Sequence, residues 1–285
     1  MLSSPWFGRA SISSTRPLRT ASFAWGPCAS LLSLFLWISG CGGGVPLLHP
    51  AHTLSPGKTA FAVGVSDRFA LGDEKKALDY AQQRPPGASP GDPRYGRGVV
   101  VALAEGPAVA PYVAARVGIP AANEAGLSYS GQAVRADARH AFEWEHSALS
   151  AGVGLTGRGL GQSPLDLPGT DLDRARGFGV DLPLLYGYRT DADLISVWAG
   201  LRGSLDHWSG DVSLDEQKPF TLSANRLAAG PVLGLAVGLP PLWVAAELEV
   251  DYAHVTGSLA RPGARYDTNL DGWSVRPAGA LIAKF

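Results

Sequence analysis

Residues Leu242–His254 read LWVAAELEVDYAH. Leu242, Val244, Ala246, Leu248, Val250, Tyr252 and His254 fall on one parity; Trp243, Ala245, Glu247, Glu249, Asp251 and Ala253 fall on the other. A period of two over such a length marks a β-strand whose successive side chains point to opposite faces. The run is longer than the roughly five or six residues of an ordinary strand and covers the 9–11 that a tilted membrane-crossing strand needs. One face is aliphatic and the other concentrates three carboxylates. Two folds satisfy this. A soluble barrel or sandwich turns the aliphatic face to its core. A membrane barrel turns the same face to lipid and closes the charges around its axis.

The pattern recurs on both sides of this segment. In LISVWAGLRGSLDH (Leu194–His207), Ile195, Val197, Ala199, Leu201 and Leu205 oppose Ser196, Trp198, Gly200, Arg202, Ser204 and Asp206. RGFGVDLPLLYGYR (Arg176–Arg189) sets Phe178, Val180, Leu182, Leu184, Tyr186 and Tyr188 against Gly179 and Asp181. SALSAGVGLTGR (Ser147–Arg158) and AVRADARHAFEW (Ala133–Trp144) alternate likewise, the second placing Arg135, Asp137, Arg139 and Glu143 on one face. The phase slips between Tyr129 and Val134, which predicts a bulge near Gly131. Strands are predicted over about 58–69, 95–104, 108–119, 124–144, 147–159, 175–189, 194–208, 222–239, 241–257 and 271–285, with 124–144 long enough to be two. The one polar helical stretch is GDEKKALDYAQQR (Gly72–Arg84). Breaks at 104–107, 119–123, 144–146, 189–193 and 238–242 are tight, and those at 70–94, 160–174, 209–221 and 258–270 are long. The expectation is an all-β chain: a single closed antiparallel up-and-down barrel of about ten strands over residues 58–285, with tight turns at one rim and long loops at the other.

Strand length, the make-up of the charged face and the placement of aromatics favour the membrane fold over the soluble one. The charged face mixes both signs with glycine, alanine and serine, which suits a narrow closed interior; a watery face normally carries more lysine. Aromatic residues fall toward the ends of the strands: Phe142, Trp144, Tyr186, Tyr188 and Phe285 near one rim, Phe69, Phe178, Tyr252 and Trp273 near the other. The final segment, WSVRPAGALIAKF (Trp273–Phe285), ends on an aromatic with alternating apolar positions. It resembles the C-terminal signal of outer-membrane β-barrel proteins, with Pro277 and Gly279 departing from that pattern. The resemblance implies recognition by the outer-membrane assembly machinery.

The N-terminus has a different character. Arg9, Arg16 and Arg19 precede an apolar run from Ala29 to Ile38 (ASLLSLFLWI), and no acid interrupts them. Basic, apolar and small-residue segments in that order form a secretory signal peptide, and the run is too short for a membrane-spanning helix. Ile38-Ser39-Gly40-Cys41 resembles the lipobox of bacterial lipoproteins. The resemblance implies cleavage before Cys41 and acylation of its thiol and amino group by lipoprotein-processing enzymes. The implied organisation is a leader over 1–40, a lipidated cysteine and flexible linker over 41–57, and the barrel over 58–285. The absence of an aspartate after Cys41 implies export to the outer membrane, with both barrel termini periplasmic. The other cysteine, Cys28, lies in the leader, which leaves the mature chain without a disulfide.

Composition narrows the function. Twenty-four lysines and arginines balance twenty-five acids, so nucleic acid is excluded as a partner. The predicted inward set is Arg135, Asp137, Arg139, Glu143, Arg158, Asp181, Arg202, Asp206, Arg226, Glu247, Glu249, Asp251 and Arg276, joined by Arg116, Arg189 and Lys284. Such groups either pair in a satisfied network or line a narrow conduit for a small polar solute. His207 with Ser209, or His254 with Ser258, places a base near a hydroxyl, the minimal requirement of a serine hydrolase, without a nucleophile motif around either. His49 and His52 fall in the linker, and two histidines alone do not fix a metal. GDPRYGRG (Gly91–Gly98) lacks the strand-to-helix context of a phosphate loop. The expected function is therefore non-enzymatic: an outer-membrane lipoprotein barrel, structural or a narrow pore, in contact with membrane lipid and carrying no cofactor beyond the acyl groups on Cys41. The alternatives are a lipid-anchored periplasmic barrel that binds an apolar ligand, and a barrel lipid hydrolase.

Overall fold

Strict alternation leaves each strand with one greasy and one ionic face, and only a closed sheet separates the two faces without leaving an edge. The computed structural model describes residues 45–83, 92–106, 109–131, 133–159, 167, 170–171, 175–214 and 220–285. The signal-peptide segment and Cys41 lie outside the described residues. In chain order the elements are β1 (Thr59–Ser66), β2 (Phe69–Leu71), α1 (Gly72–Gln83), α2 (Pro93–Glu105), β3 (Ala110–Ile119), β4 (Asn123–Ser130), β5 (Ala133–Glu143) and β6 (Ser147–Gly159). They continue with β7 (Thr170–Asp171), β8 (Arg176–Arg189), β9 (Ile195–Leu214), β10 (Phe220–Leu239), β11 (Leu242–Arg261) and β12 (Ala264–Lys284). Ten strands form one antiparallel ring in the order β1-β3-β4-β5-β6-β8-β9-β10-β11-β12, and β12 closes onto β1 from Lys284↔Ala60 to Ala278↔Ser66.

The orientation is inside-out. On β11, Trp243, Ala245, Glu247, Glu249, Asp251 and Ala253 are buried, whereas Val244 is 61% and Leu242 52% exposed. On β5, Arg135, Asp137 and Arg139 are buried between exposed Val134 and Phe142. Leucines and valines therefore face outward around the ring and charges face its axis, the reverse of a soluble barrel. The outward apolar stretch of β11 runs from Leu242 to Tyr252; at about 3.4 Å per residue and about 40° tilt it rises roughly 25 Å, the height of a transmembrane band. Tyr252 and Trp273 pack edge to face at one border, with ring centroids 5.1 Å apart. Phe142, Trp144, Tyr186 and Tyr188 are exposed at the other.

The wall is uneven. β9, β10 and β11 have 20 residues each and β12 has 21, against 8 in β1 and 8 in β4. The tall side is lined within by apolar groups. Trp208, Val212, Phe220, Leu222, Ala224, Val255 and Leu259 form one buried cluster with Val99–Ala104 of α2 and with Leu78 and Ala81 of α1. The chain reaches this position because β2 continues the line of β1 along β12, pairing Phe69 with Val275, and Gly72 at φ +65° then turns it inward. Gly98 permits the two helices to touch: a Cβ there would sit 2.4 Å from the Ala77 carbonyl oxygen and 2.5 Å from the Ala81 Cβ.

Four expectations are corrected. Residues 95–104 form a helix, not a strand. Asp92 caps it by accepting from the Arg94 N–H, Pro93 opens it, and Gly106 at φ +48° closes it. These are the ordinary start and stop signals, masked by the β-branched run Val99–Val100–Val101, which reads as strand. The 124–144 segment is a hairpin, and the phase slip at Gly131 (φ +60°) is its turn rather than a bulge. The strand lost at 95–104 and the one gained here offset, so the count of ten stands. The connections at 209–221 and 258–270 are mostly strand, since β9 continues to Leu214 and β11 turns into β12 at 262–263. Finally, residues 45–54, expected to be part of a flexible linker, enter the barrel and pack there.

Candidate functional site: a filled lumen

The barrel interior holds three stacked layers. The first, at the end where the short turns and Phe285 lie, is a strap formed by residues 45–54. Val45, Leu47, Leu48 and Ala51 are each 2% exposed or less. An irregular segment inside a barrel must find partners for its backbone polar groups, and inward side chains supply them. Glu247 accepts from the Leu47 and Leu48 N–H groups, at 2.8 Å each, and from the Trp198 indole N–H at 3.2 Å. Arg202 donates to the Val45 carbonyl at 2.9 Å. Arg139 donates to the Pro50 and His52 carbonyls, Glu124 accepts from the Leu54 N–H, and Glu143 accepts from both the N–H and hydroxyl of Thr53. Leu48 takes a positive φ of 47°, a conformation non-glycine residues rarely adopt, and the paired bonds to Glu247 hold it there.

The second layer is ionic. Arg135 grips Asp181 through two bonds of 2.8 and 2.9 Å and reaches Asp137 at 2.6 Å. Arg202 bridges Asp181 and Glu249, both at 3.2 Å. Arg276 bridges Glu249 and Asp251, both at 2.8 Å. Arg116 joins Glu124 to Asp137, and Arg139 shares Glu124 at 2.9 Å. Arg226 joins Glu105 and Asp251, Arg68 lies 3.7 Å from Glu105, and Arg158 pairs with Asp206 at 3.1 Å. Charges this deeply buried are costly unless matched with good geometry, which the multiply bonded Arg135–Asp181 and Arg139–Glu124 pairs supply. Among the sequence-predicted inward residues, eleven are buried, while Glu143 and Arg158 keep 28% and 16% of their side chains exposed. Arg189 approaches Glu143 at 4.0 Å and Lys284 reaches Asp193 at 2.7 Å.

The third layer is α1 and α2. Glu105, at the end of α2, joins the helix to the ionic layer through Arg226 and Arg68; Arg68 also donates to the Glu105 carbonyl at 2.8 Å. Glu74 of α1 sits against Gly272, where any side chain would collide with its carboxyl group. Burial, reinforced by the nearby Glu105 charge, pushes the Glu74 carboxyl up to about 8. Sequence reading missed Glu105, Arg68 and Glu124. Glu124 was legible, because Glu124, Gly126, Ser128 and Ser130 share one parity of β4. Arg68 and Glu105 flank an insert whose path through the lumen no strand periodicity announces.

Neither histidine bonds its candidate serine among the described contacts: His207 Nδ1 pairs with Asn225 at 2.8 Å, and His254 Nδ1 pairs with Asp271 at 2.7 Å. Ser258 lies four residues along the same strand from His254, roughly 13 Å away. Among the described residues, no group of three histidine, cysteine or acidic side chains is placed to hold a metal ion.

No known protein family and no curated protein matches the sequence. Solved structures do. The attachment invasion locus protein Ail of Yersinia pestis aligns over 81% of this chain and all of its own, at 11% identity and a TM-score of 0.33. Neisserial surface protein A aligns over 80% of this chain and 99% of its own, at 11% identity and 0.32. A major outer membrane protein of Thermus thermophilus aligns over 80% and 99%, at 14% identity and 0.35. At these scores the likeness carries no argument for this chain, and its membrane reading rests on its own outward apolar band.

Proposed function

We propose that this chain is a sealed, non-enzymatic outer-membrane β-barrel lipoprotein of a Gram-negative bacterium, structural in role, with Cys41 acylated and both barrel termini periplasmic. The observation that carries the sealed state is the triple filling of the lumen by strap, ion-pair layer and helix. A conduit for polar solutes needs an open path along the axis; here the axis is taken by backbone held in place by side chains of opposite strands. Inward charge and outward leucine likewise disfavour a lipid-anchored soluble barrel with an apolar ligand inside.

Planar-bilayer recording on the purified barrel tests the sealed state. The wild-type protein is expected to show no resolved conductance steps, and deletion of residues 45–54 to produce them. Steady open channels from the wild type would refute the reading. Metabolic labelling with a palmitate analogue tests the anchor: label present in the wild type and lost in Cys41→Ser supports acylation, and unlabelled wild type rejects it.

A further inference from the structure

At the short-turn end, the strap and the barrel wall line a half-open cavity of about 260 Å³. His52 lines it, is 4% exposed, and has no hydrogen-bond partner at either ring nitrogen. Buried polar groups in folded proteins normally have partners, so an imidazole left without one marks a place where a ligand atom can sit. The lining carries more cationic side chains, Lys58, Arg116, Arg139, Arg189 and Lys284, than acidic ones, Glu124 and Asp193. Glu124 is already consumed by Arg116 and Arg139, and Asp193 by Lys284. Lys58 has no ion-pair partner among the described residues, and Arg189 has Glu143 only at 4.0 Å. The rest of the lining includes Tyr112, Trp243, Ile282 and Phe61.

We propose that this cavity is a binding site for a small organic carboxylate, its apolar body against Tyr112, Trp243 and Ile282 and its carboxylate toward His52, Lys58 and Arg189. The volume falls just under the roughly 300–1,000 Å³ of pockets for drug-sized ligands, which limits the ligand to a single ring or a short chain. Burial, and next the Arg189 charge, lower His52 to about 4. At neutral pH its imidazole is uncharged and offers one N–H donor, so the positive field comes from lysine and arginine. A ligand here would touch the strap and the wall together and would fasten one to the other.

The full-length barrel in lipid nanodiscs, with empty nanodiscs as control, can be titrated with 4-fluorobenzoate and with hexanoate, by ¹⁹F NMR and calorimetry respectively. Saturable one-site binding of at least one carboxylate is expected. Its neutral amide should bind at least tenfold more weakly. Lys58→Glu, a change at an exposed residue, should weaken the carboxylate at least tenfold with heat-modifiable gel migration unchanged, and His52→Ala should weaken it too. The proposal is overturned if neither carboxylate saturates, if the amide binds as tightly, or if Lys58→Glu leaves the affinity unchanged. None of these outcomes depends on whether the lumen conducts.

Discussion

Glu247→Ala removes the acceptor that holds the centre of the strap. The carboxylate takes the Leu47 and Leu48 N–H groups at 2.8 Å each, in a site where Glu247 is 4% exposed. A hydrogen bond to a charged group contributes about 1.5–3 kcal/mol, so losing two costs docking about 3–6 kcal/mol. At about 1.4 kcal/mol per decade, the equilibrium for strap release shifts by roughly 10² to 10⁴. Hydrogen exchange in nanodiscs reads this directly. Amides of residues 45–54 should exchange at least about a hundredfold faster in the variant, while those of β3 to β6 keep their rates. Glu247→Gln retains one carbonyl acceptor and should fall between the two. Unchanged strap protection in Glu247→Ala would refute the idea that this carboxylate docks the strap.

Three further outcomes are expected. Arg135→Met leaves Asp181 and Asp137 without their shared guanidinium and should destabilise the barrel by about 3–5 kcal/mol in urea titrations; adding Asp181→Leu should recover much of the loss. Glu74 has a folded pKa near 8 against an ordinary 4.5, so its contribution is complete below pH 4.5 and is lost as pH rises from 4.5 to 8. That loss is at most about 1.4 kcal/mol per pH unit, and Glu74→Gln should abolish it in stability measured across that window. The Val45 carbonyl is held by Arg202, which stands about 18 Å up a tilted strand from Ile195 at the short-turn rim, whereas the four residues back to Cys41 reach at most about 14 Å. Acylated protein anchored at that rim should therefore exchange faster at residues 45–48 than Cys41→Ser protein, and equal rates would place the acyl chains elsewhere.

The barrel was legible because each wall strand carries a local, redundant signal. Thirteen residues of β11 alternate without a fault, and a one-residue slip would have turned Glu247 and Glu249 into lipid. What fills the barrel was less legible, for two physical reasons. The β-branched run Val99–Val100–Val101 of α2 mimics a strand; only Asp92, Pro93 and Gly106 marked its ends. The strap has no regular structure, and its docking depends on contacts across sequence separations such as the 200 residues from Leu47 to Glu247. Its apolar residues, Val45, Leu47 and Leu48, were visible beside the glycines but looked like linker. The ionic layer was half legible: parity placed Arg135, Asp181 and Arg202 on the inner face, but which arginine meets which carboxylate is set by register between strands.

The central claim is that aliphatic side chains face lipid and charges face the axis. Spin labels at Val244, Ala246, Leu248 and Val250, placed one at a time in protein reconstituted into bilayers, test it through their accessibility to oxygen and to a water-soluble nickel complex. Oxygen access should exceed nickel access at all four and peak toward the middle of the series. High nickel access at Leu248 would contradict the account.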